Sequence, residues 1–279
     1  MTRPVAVRAI TRYTVDGTVD SVVHDQDMVA VEAPVSLVLC PHDGPPRNLG
    51  LLMRTPGHDE DLATGVLVTE GVITRATDVL RIEHVTGDEA VVRVFVGPNA
   101  HPLAISDRVG SATSACGLCG RLSLQRLDAM PRIDSAALRV SAAVIHRLPP
   151  RLRDVQLAFA QTGGLHAAAV FSADGTLVDL REDVGRHNAV DKIAGALLHR
   201  GGLPASDLLL AVSGRIAYEI VQKAVMCGMS IIVAVGAPTD LAVDAARATG
   251  VTLIGFTRDN RFNVYTHGHR IGTGEYLPE

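Results

Sequence analysis

The sequence predicts an α/β fold, with a partly parallel sheet covered by helices in its C-terminal half and a smaller β-rich lobe at the N-terminus. Three observations predict it. The first hundred residues carry short β-branched runs separated by polar turns. Residues 208–212, 231–235 and 251–256 are continuous apolar runs, the mark of strands buried on both faces. The intervening stretches, residues 216–226 and 241–248, pattern as helices, so the run reads as strands alternating with helices in a parallel sheet.

Taken in order, residues 5–15, 27–31 and 35–39 read as strands of a small N-terminal sheet. Thr55-Pro56-Gly57-His58-Asp59-Glu60 then signals a helix start, with early acids favouring the N-terminal dipole and Leu62, Val66 and Leu67 marking an apolar face. Gly71 stops that helix. Residues 80–84 and 90–96, joined by Thr86-Gly87-Asp88-Glu89, form a hairpin. A change of pattern after Pro149-Pro150 puts the lobe junction between Gly120 and Pro150. Beyond it, residues 165–171 and 176–180 pair about Asp174-Gly175, and a helix spans residues 185–200. The expected division is a β-rich lobe over 1–115, a cysteine loop with connecting helices over 116–150, and an α/β lobe over 151–279.

Composition bounds the function. The chain has 279 residues, enough for one large domain or a domain with a smaller lobe. Hydrophobic residues make up 47%, yet no apolar run approaches the roughly eighteen needed to span a bilayer. Arg3, Arg8 and Arg12 interrupt the N-terminal apolar runs, so no signal peptide is expected and the reading is cytoplasmic, with no membrane partner. Four cysteines in such a chain make no disulfide framework. A net charge of −4 and 3% aromatics, with no tryptophan, argue against nucleic acid as a partner. An anionic ligand must be held by a local cluster of positive charge.

Cys116-Gly117-Leu118-Cys119 concentrates the chemistry. Gly110, Gly117 and Gly120, with Ser111, Ala112, Ser114 and Ala115, surround the thiols with small residues that let a large partner approach. Arg108 and Arg121 flank the pair, and turned toward it they would favour the thiolate. The motif has three readings: half of a zinc site, a dithiol redox couple, or a sulfur carrier. Zinc needs four N or S ligands, and the chain has no second C-x-x-C and no H-x₃₋₅-H, so no resident metal is expected. Cys40 and Cys227 each lie in apolar stretches and read as buried, inert thiols. A thioredoxin-like couple belongs where a strand feeds a helix, and here the loop Gly97-Pro98-Asn99 precedes the pair. A carrier needs one nucleophilic thiolate on an accessible segment, which Cys116 satisfies.

Ligands of open α/β sheets bind past the carboxyl ends of the strands, where three segments fall. Ser213-Gly214-Arg215 offers helix-start donors to an anion; as a structural feature alone, Ser213 is an N-cap and Arg215 is solvated. On the loop Phe256-Thr257-Arg258-Asp259-Asn260-Arg261, two arginines three residues apart can clamp phosphates while Phe256 packs against a base. In Asp183-Val184-Gly185-Arg186-His187-Asn188, Arg186 and His187 can donate to the same anion, whereas Asp183 reads as a cap and Asp191 and Lys192 as a solvated helix face. His166, in Thr162-Gly163-Gly164-Leu165-His166, reads as an ordinary histidine.

Together these segments resemble the formate dehydrogenase accessory sulfurtransferase family, FdhD/NarQ. The likeness runs nearly end to end and rests on Thr55-Pro56-Gly57-x-Asp59 with Glu70-Gly71, Cys116-Gly117-Leu118-Cys119-Gly120, Thr162-Gly163-Gly164-Leu165-His166-Ala167-Ala168, Asp183-Val184-Gly185-Arg186-His187-Asn188-Ala189-Val190-Asp191-Lys192, Ser213-Gly214-Arg215 and Gly255-Phe256-x-Arg258. It implies a protein that takes sulfane sulfur from a cysteine desulfurase and passes it to the bis-molybdopterin guanine dinucleotide form of the molybdenum cofactor, before insertion into formate dehydrogenase. It further implies a persulfide on Cys116 with Cys119 beside it, cofactor binding by residues 256–261, a cytidine-deaminase-like α/β core and a homodimer. A guanine nucleotide would mimic the cofactor. Two alternatives follow. One is a cofactor chaperone that moves no sulfur; the other is a zinc-dependent nucleobase deaminase, whose H-x-E is spelled by His58-Asp59-Glu60 but whose P-C-x-x-C is broken by Ala115.

Overall fold

The computed structural model describes residues 4–15, 20–85, 90–101, 130–133, 138–258 and 261–272. At the N-terminus β1 (Val5–Val15) and β2 (Asp20–Ala30) pair antiparallel into a long hairpin. Only the end of β2 is legible locally; its polar first half is strand because pairing with β1 overrides weak propensity.

Next come β3 (Ala33–Cys40), β4 (Arg47–Arg54), helix α1 (Asp59–Thr69), β5 (Val79–Val85) and β6 (Ala90–Val96). The strands form a sheet in the order β4-β3-β6-β5, with β3 and β6 parallel and the other pairs antiparallel. Strand β4 has no local signal, since Arg47, Asn48 and Gly50 are poor strand formers. It pairs through a bulge between Leu37 and Val38, opposite which Gly50 adopts φ 119°. Period-two burial of Val35, Leu37 and Leu39 and of Val92, Val94 and Val96 gives this sheet one apolar face. Helix α1 ends as expected, at Gly71 with φ 77°.

The C-terminal half contains β7 (Val140–Ser141), α2 (Ala142–Val155), α3 (Leu157–Thr162), β8 (His166–Ser172), β9 (Leu177–Asp183), α4 (Arg186–His199), β10 (Leu208–Val212), α5 (Tyr218–Met226), β11 (Ile231–Ala234), α6 (Asp240–Thr249), β12 (Thr252–Arg258), β13 (Arg261–Thr266) and β14 (Ile271–Gly272). Among the described residues six of these strands form one sheet, ordered β13-β12-β11-β10-β8-β9. Strands β10, β11 and β12 are parallel, and antiparallel neighbours flank them. The sheet is mixed and partly parallel, as the apolar runs predict. Helices α4, α5 and α6 cover one face, meeting Val170, Leu210, Val212, Ile232 and Leu253. Helix α2 covers the other, laying Val144, Ile145, Leu148 and Leu152 on Phe171, Leu209, Ile231 and Val233.

Pro149 and Pro150 mark no break: both lie inside α2. Two interior prolines at about 3 kcal/mol each cost on the order of 6 kcal/mol. Burial of four aliphatic side chains at about 1.5–3 kcal/mol each outweighs that cost, so tertiary packing keeps the helix intact.

Helix α1 packs on α4 and β6 and so joins the two halves. The crossing is close because both helices present glycine. A Cβ at Gly65 would fall 1.7 Å from the Asp191 carbonyl oxygen, and one at Gly195 would fall 1.9 Å from that of Asp61. Ion pairs line the seam. Asp61 accepts from His199 at 3.0 Å and from Arg181 at 2.9 Å, and Lys223 donates to Asp191 at 2.7 Å. Burial alone would raise the Asp61 carboxyl, but donors from His199, His58 and Arg181 hold it well below the usual range. Among the described residues no helix is long and apolar enough to cross a membrane.

Candidate functional site

Three glycines line the carboxyl ends of the parallel strands. A Cβ on Gly214, after β10, would approach the His166 ring at 3.3 Å and Arg186 Cδ at 3.9 Å. One on Gly236, after β11, would strike the Gly214 carbonyl at 2.8 Å, and one on Gly255, in β12, would meet Pro238 at 2.9 Å. The row leaves bare backbone at the strand ends, where a ligand can approach the main chain closely. Gly236-Ala237-Pro238-Thr239 has no place in the sequence reading. Its signal is a glycine at the end of an apolar strand, as at the other two strand ends, here followed by Pro238.

Ser213 is not a helix cap. Helix α5 starts at Tyr218 with Ala217 as its N-cap, and the Ser213 hydroxyl instead accepts from the Ala167 amide at 2.9 Å. Parallel bridging of Ile216 to Pro238 carries the chain onward before it turns into the helix. Arg215 is exposed, as its solvated reading expects.

The N-terminus of α4 meets the same end of the sheet. Asp183 anchors it by accepting from Gly185 N at 2.8 Å, Asn188 Nδ2 at 2.9 Å, Thr55 N at 3.1 Å and Lys192 Nζ at 2.7 Å. Thr55 answers by accepting from Val184 N at 3.1 Å through its hydroxyl and from Lys192 at 2.8 Å through its carbonyl. The Thr55-Pro56-Gly57 and Asp183 to Lys192 motifs are therefore one structure. Asp183 is more than a cap, and Asp191 and Lys192 are not solvated: both are buried, because α1 covers the side of α4 that an isolated helix would turn to water.

Arg186 and His187 occupy the first turn of α4. Arg186 Nε and His187 Nε2 are both buried, with no hydrogen-bond partner among the described residues. Glu219, 3.9 Å from His187, is beyond hydrogen-bond reach. Burial first, then the positive charges of Lys223 and Arg186, lowers the His187 pKa to about 3. Burial and Arg186 lower His166 as well, with Asp183 opposing. Two neutral imidazoles beside a guanidinium, at a helix N-terminus, give a donor-rich and electropositive corner suited to an anion. His166 thus belongs to the candidate site, which its local sequence does not reveal.

On the far side, Phe256 has left-handed backbone with φ 52°, its amide donating to the Gly236 carbonyl at 3.1 Å. Such geometry costs a non-glycine residue about 1–3 kcal/mol and is held by the surrounding structure, here a bulge in β12 between Gly255 and Arg258. It presents the ring to solvent. Thr257 is buried and its hydroxyl lacks a partner among the described residues. Arg258 and Arg261 are on strands rather than a loop: they end β12 and begin β13, paired with each other and both exposed. Pairing of β13 extends the ladder past the local turn signal, and it sets the two guanidinium-bearing residues side by side.

Cys116, Cys119, Asp259 and Asn260 lie outside the described residues. Cys40 and Cys227 are buried, and burial pushes the Cys227 thiol up to about 12, an inert thiol as expected. His58 caps α1 with left-handed backbone 3.5 Å from Asp61, while Glu60 is exposed.

Comparison with known proteins gives a consistent answer. Residues 30–272 match the FdhD/NarQ family. The chain is 45% identical over 247 residues to the sulfur carrier protein FdhD of Sulfurisphaera tokodaii, covering 88% of this chain and 92% of that one. Identity to the protein of the same name from Nocardia farcinica is 42% over 275 residues, covering 96% and 95%. A crystal structure from Desulfotalea psychrophila, described as a formate dehydrogenase accessory protein, superposes with a TM-score of 0.71 at 23% identity, covering 95% of this chain and 99% of that one, and shows the same fold. The chain belongs to the FdhD/NarQ family.

Proposed function

We propose that this protein is a cytoplasmic sulfur carrier for formate dehydrogenase, transferring sulfur from a cysteine desulfurase to the molybdenum cofactor through a persulfide on Cys116. The Cys116 thiolate attacks the outer sulfur of the desulfurase persulfide, an S–S bond forms on Cys116 as the donor's S–S bond breaks, and the desulfurase thiolate leaves. Cys119 stands beside it to tune or resolve that persulfide. The substrate that then takes the sulfur is bis-molybdopterin guanine dinucleotide, held at the strand ends.

The single observation that carries this reading is the assembly of the motifs around residues 55, 166, 183–188, 214 and 256 at one end of the central sheet, in a chain whose near full-length relatives are named sulfur carriers. This end of the sheet offers what a guanine dinucleotide needs. Arg186 and His187, both half-buried in the first turn of α4, are donors for phosphate oxygens, the Arg258–Arg261 pair supplies exposed positive charge, and the Phe256 ring is available to a base. Thr257, with Asp259, Asn260, Ser213 and Arg215, completes the proposed binding set. A cytidine-deaminase-like core is supported by the antiparallel β8–β9 hairpin that precedes three parallel strands, and a homodimer is part of the same proposal.

Intact-mass analysis after incubation with a desulfurase and cysteine tests the carrier role. Wild type and Cys119→Ala should gain the mass of sulfur and Cys116→Ala should not. A Cys116→Ala protein that still supports formate dehydrogenase activity in cells would instead make this a chaperone that moves no sulfur.

A further inference from the structure

Helices α4 and α5 face each other through two rungs of side chains. Asp191 lies one turn beyond His187 on α4, and Lys223 lies one turn beyond Glu219 on α5, so each pair shares a helix face. The inner rung is closed. Lys223 Nζ donates to both carboxylate oxygens of Asp191, at 2.7 and 3.0 Å, and to the Thr69 hydroxyl at 3.1 Å, which itself donates to Asp191 at 2.7 Å. Side chains from α1, α4 and α5 thus make one buried ring. The outer rung is open: His187 Nε2 and Glu219 Oε2 stand 3.9 Å apart, beyond hydrogen-bond reach, with the two side chains 27% and 24% exposed. A buried ion pair is on stability grounds no better than apolar packing of the same volume, so the ring calls for another account.

We infer that Lys223 is a positioning residue that keeps His187 and Glu219 from closing into an ion pair, so that the imidazole stays available to an anion at the start of α4. The inference rests on the nucleotide site proposed above. One ammonium acts in two ways. Its ring with Asp191 and Thr69 fixes the spacing of α4 and α5 one turn below the outer rung, which leaves that rung little freedom to shorten. Its charge also opposes a second positive charge nearby: burial first and Lys223 next disfavour a proton on His187, and Arg186 and His166 add to them. Without that proton the imidazole has no charge with which to hold Glu219. The ammonium itself is secure. Burial opposes its charge, but Asp191 and Glu70, at the end of α1, outweigh burial and raise its pKa. Lys223 therefore stays charged wherever the fold persists, and the outer rung stays open for a ligand.

NMR titration of the histidine ring resonances in the full-length protein tests this, with His187 assigned by its loss in His187→Gln. Lys223→Met/Asp191→Asn removes the ammonium without leaving a buried charge behind. In that variant His187 should titrate about one pH unit or more above wild type, the size of effect a charge at such range exerts. Adding Glu219→Gln to it should bring the titration back down. Affinity for guanosine diphosphate at pH 6, read by calorimetry, should fall about fivefold in the double variant, the worth of one hydrogen bond, and recover in the triple variant. Glu219→Gln alone keeps the ring intact and should leave the His187 titration where it is. A drop in that single variant would mean that the outer rung is already closed, and would overturn the inference whether or not the double variant folds. Equal titration of His187 with and without Lys223, or an affinity loss that Glu219→Gln does not recover, would overturn it too. Wild type that binds no guanosine diphosphate would overturn the nucleotide reading instead, and the ring titration would still decide the hold of Lys223 on His187.

Discussion

Lys192 Nζ stands 2.7 Å from the Asp183 carboxylate, and neither side chain reaches solvent. This contact ties α4 to the end of β9 and, through Thr55, to the entry of α1. Removing one partner leaves a buried, uncompensated charge. Lys192→Met or Asp183→Ala should each cost about 3–5 kcal/mol, while the double replacement should cost clearly less than the sum. Urea unfolding of the three variants checks this, and additive losses would show that the pair is not coupled.

The Gly65–Gly195 crossing gives a prediction opposite in sign to helix propensity. Alanine is favoured over glycine in a helix by about 1 kcal/mol. At either position, however, the new Cβ would overlap a carbonyl oxygen of the facing helix, so α1 and α4 must separate. We expect Gly65→Ala and Gly195→Ala each to destabilise by about 3 kcal/mol or more, read as a lower urea midpoint. A gain in stability at either site would mean that the helices pack less closely than described.

His187 should be neutral through the physiological range, its pKa held down to about 3 by burial and neighbouring positive charge. In the unfolded chain it titrates near the ordinary value of about 6.5. The folded state therefore resists protonation, so as pH falls from about 6.5 toward 3 the unfolded chain takes up the proton first and stability drops. Above pH 6.5 the group contributes no pH dependence. His187→Gln should flatten part of that acid slope in unfolding free energy between pH 7 and 4. An anion bound beside it raises the imidazole pKa, so nucleotide binding should take up protons and strengthen as pH falls.

Arg258 and Arg261, side by side and exposed, should contribute to nucleotide binding through a salt-sensitive attraction. Because both guanidinium-bearing residues face water, about 0.5–1.5 kcal/mol is expected from each, below what a desolvated contact gives. Titration calorimetry with guanosine diphosphate at two ionic strengths should show weaker binding by Arg258→Ala/Arg261→Ala and a smaller salt dependence. Lysine at both positions should restore the charge but only part of the affinity, since an ammonium lacks the planar fork. Equal affinity of wild type and the double alanine variant at both salts would place the nucleotide elsewhere.

The sequence by itself determined the order and type of the elements from β8 to β12, because strands buried on both faces read as unbroken apolar runs. It also determined the inert character of Cys40 and Cys227 and the set of motifs that carries the family resemblance. Only the tertiary structure decided how those motifs meet. Thr55 and Asp183 are 128 positions apart and share a hydrogen bond, and the Gly214, Gly236 and Gly255 row exists only once three parallel strands are in register. Asp191 and Lys192 are misread for one physical reason. Local patterning assumes that a helix has one face toward water, but α4 packs on a sheet with one side and on α1 with the other, so Asp191 and Lys192 are buried at positions that spell solvent. For the same reason β4 and the proline-bearing α2 are held in shape by neighbours distant in sequence, whose packing outweighs what their own residues prefer.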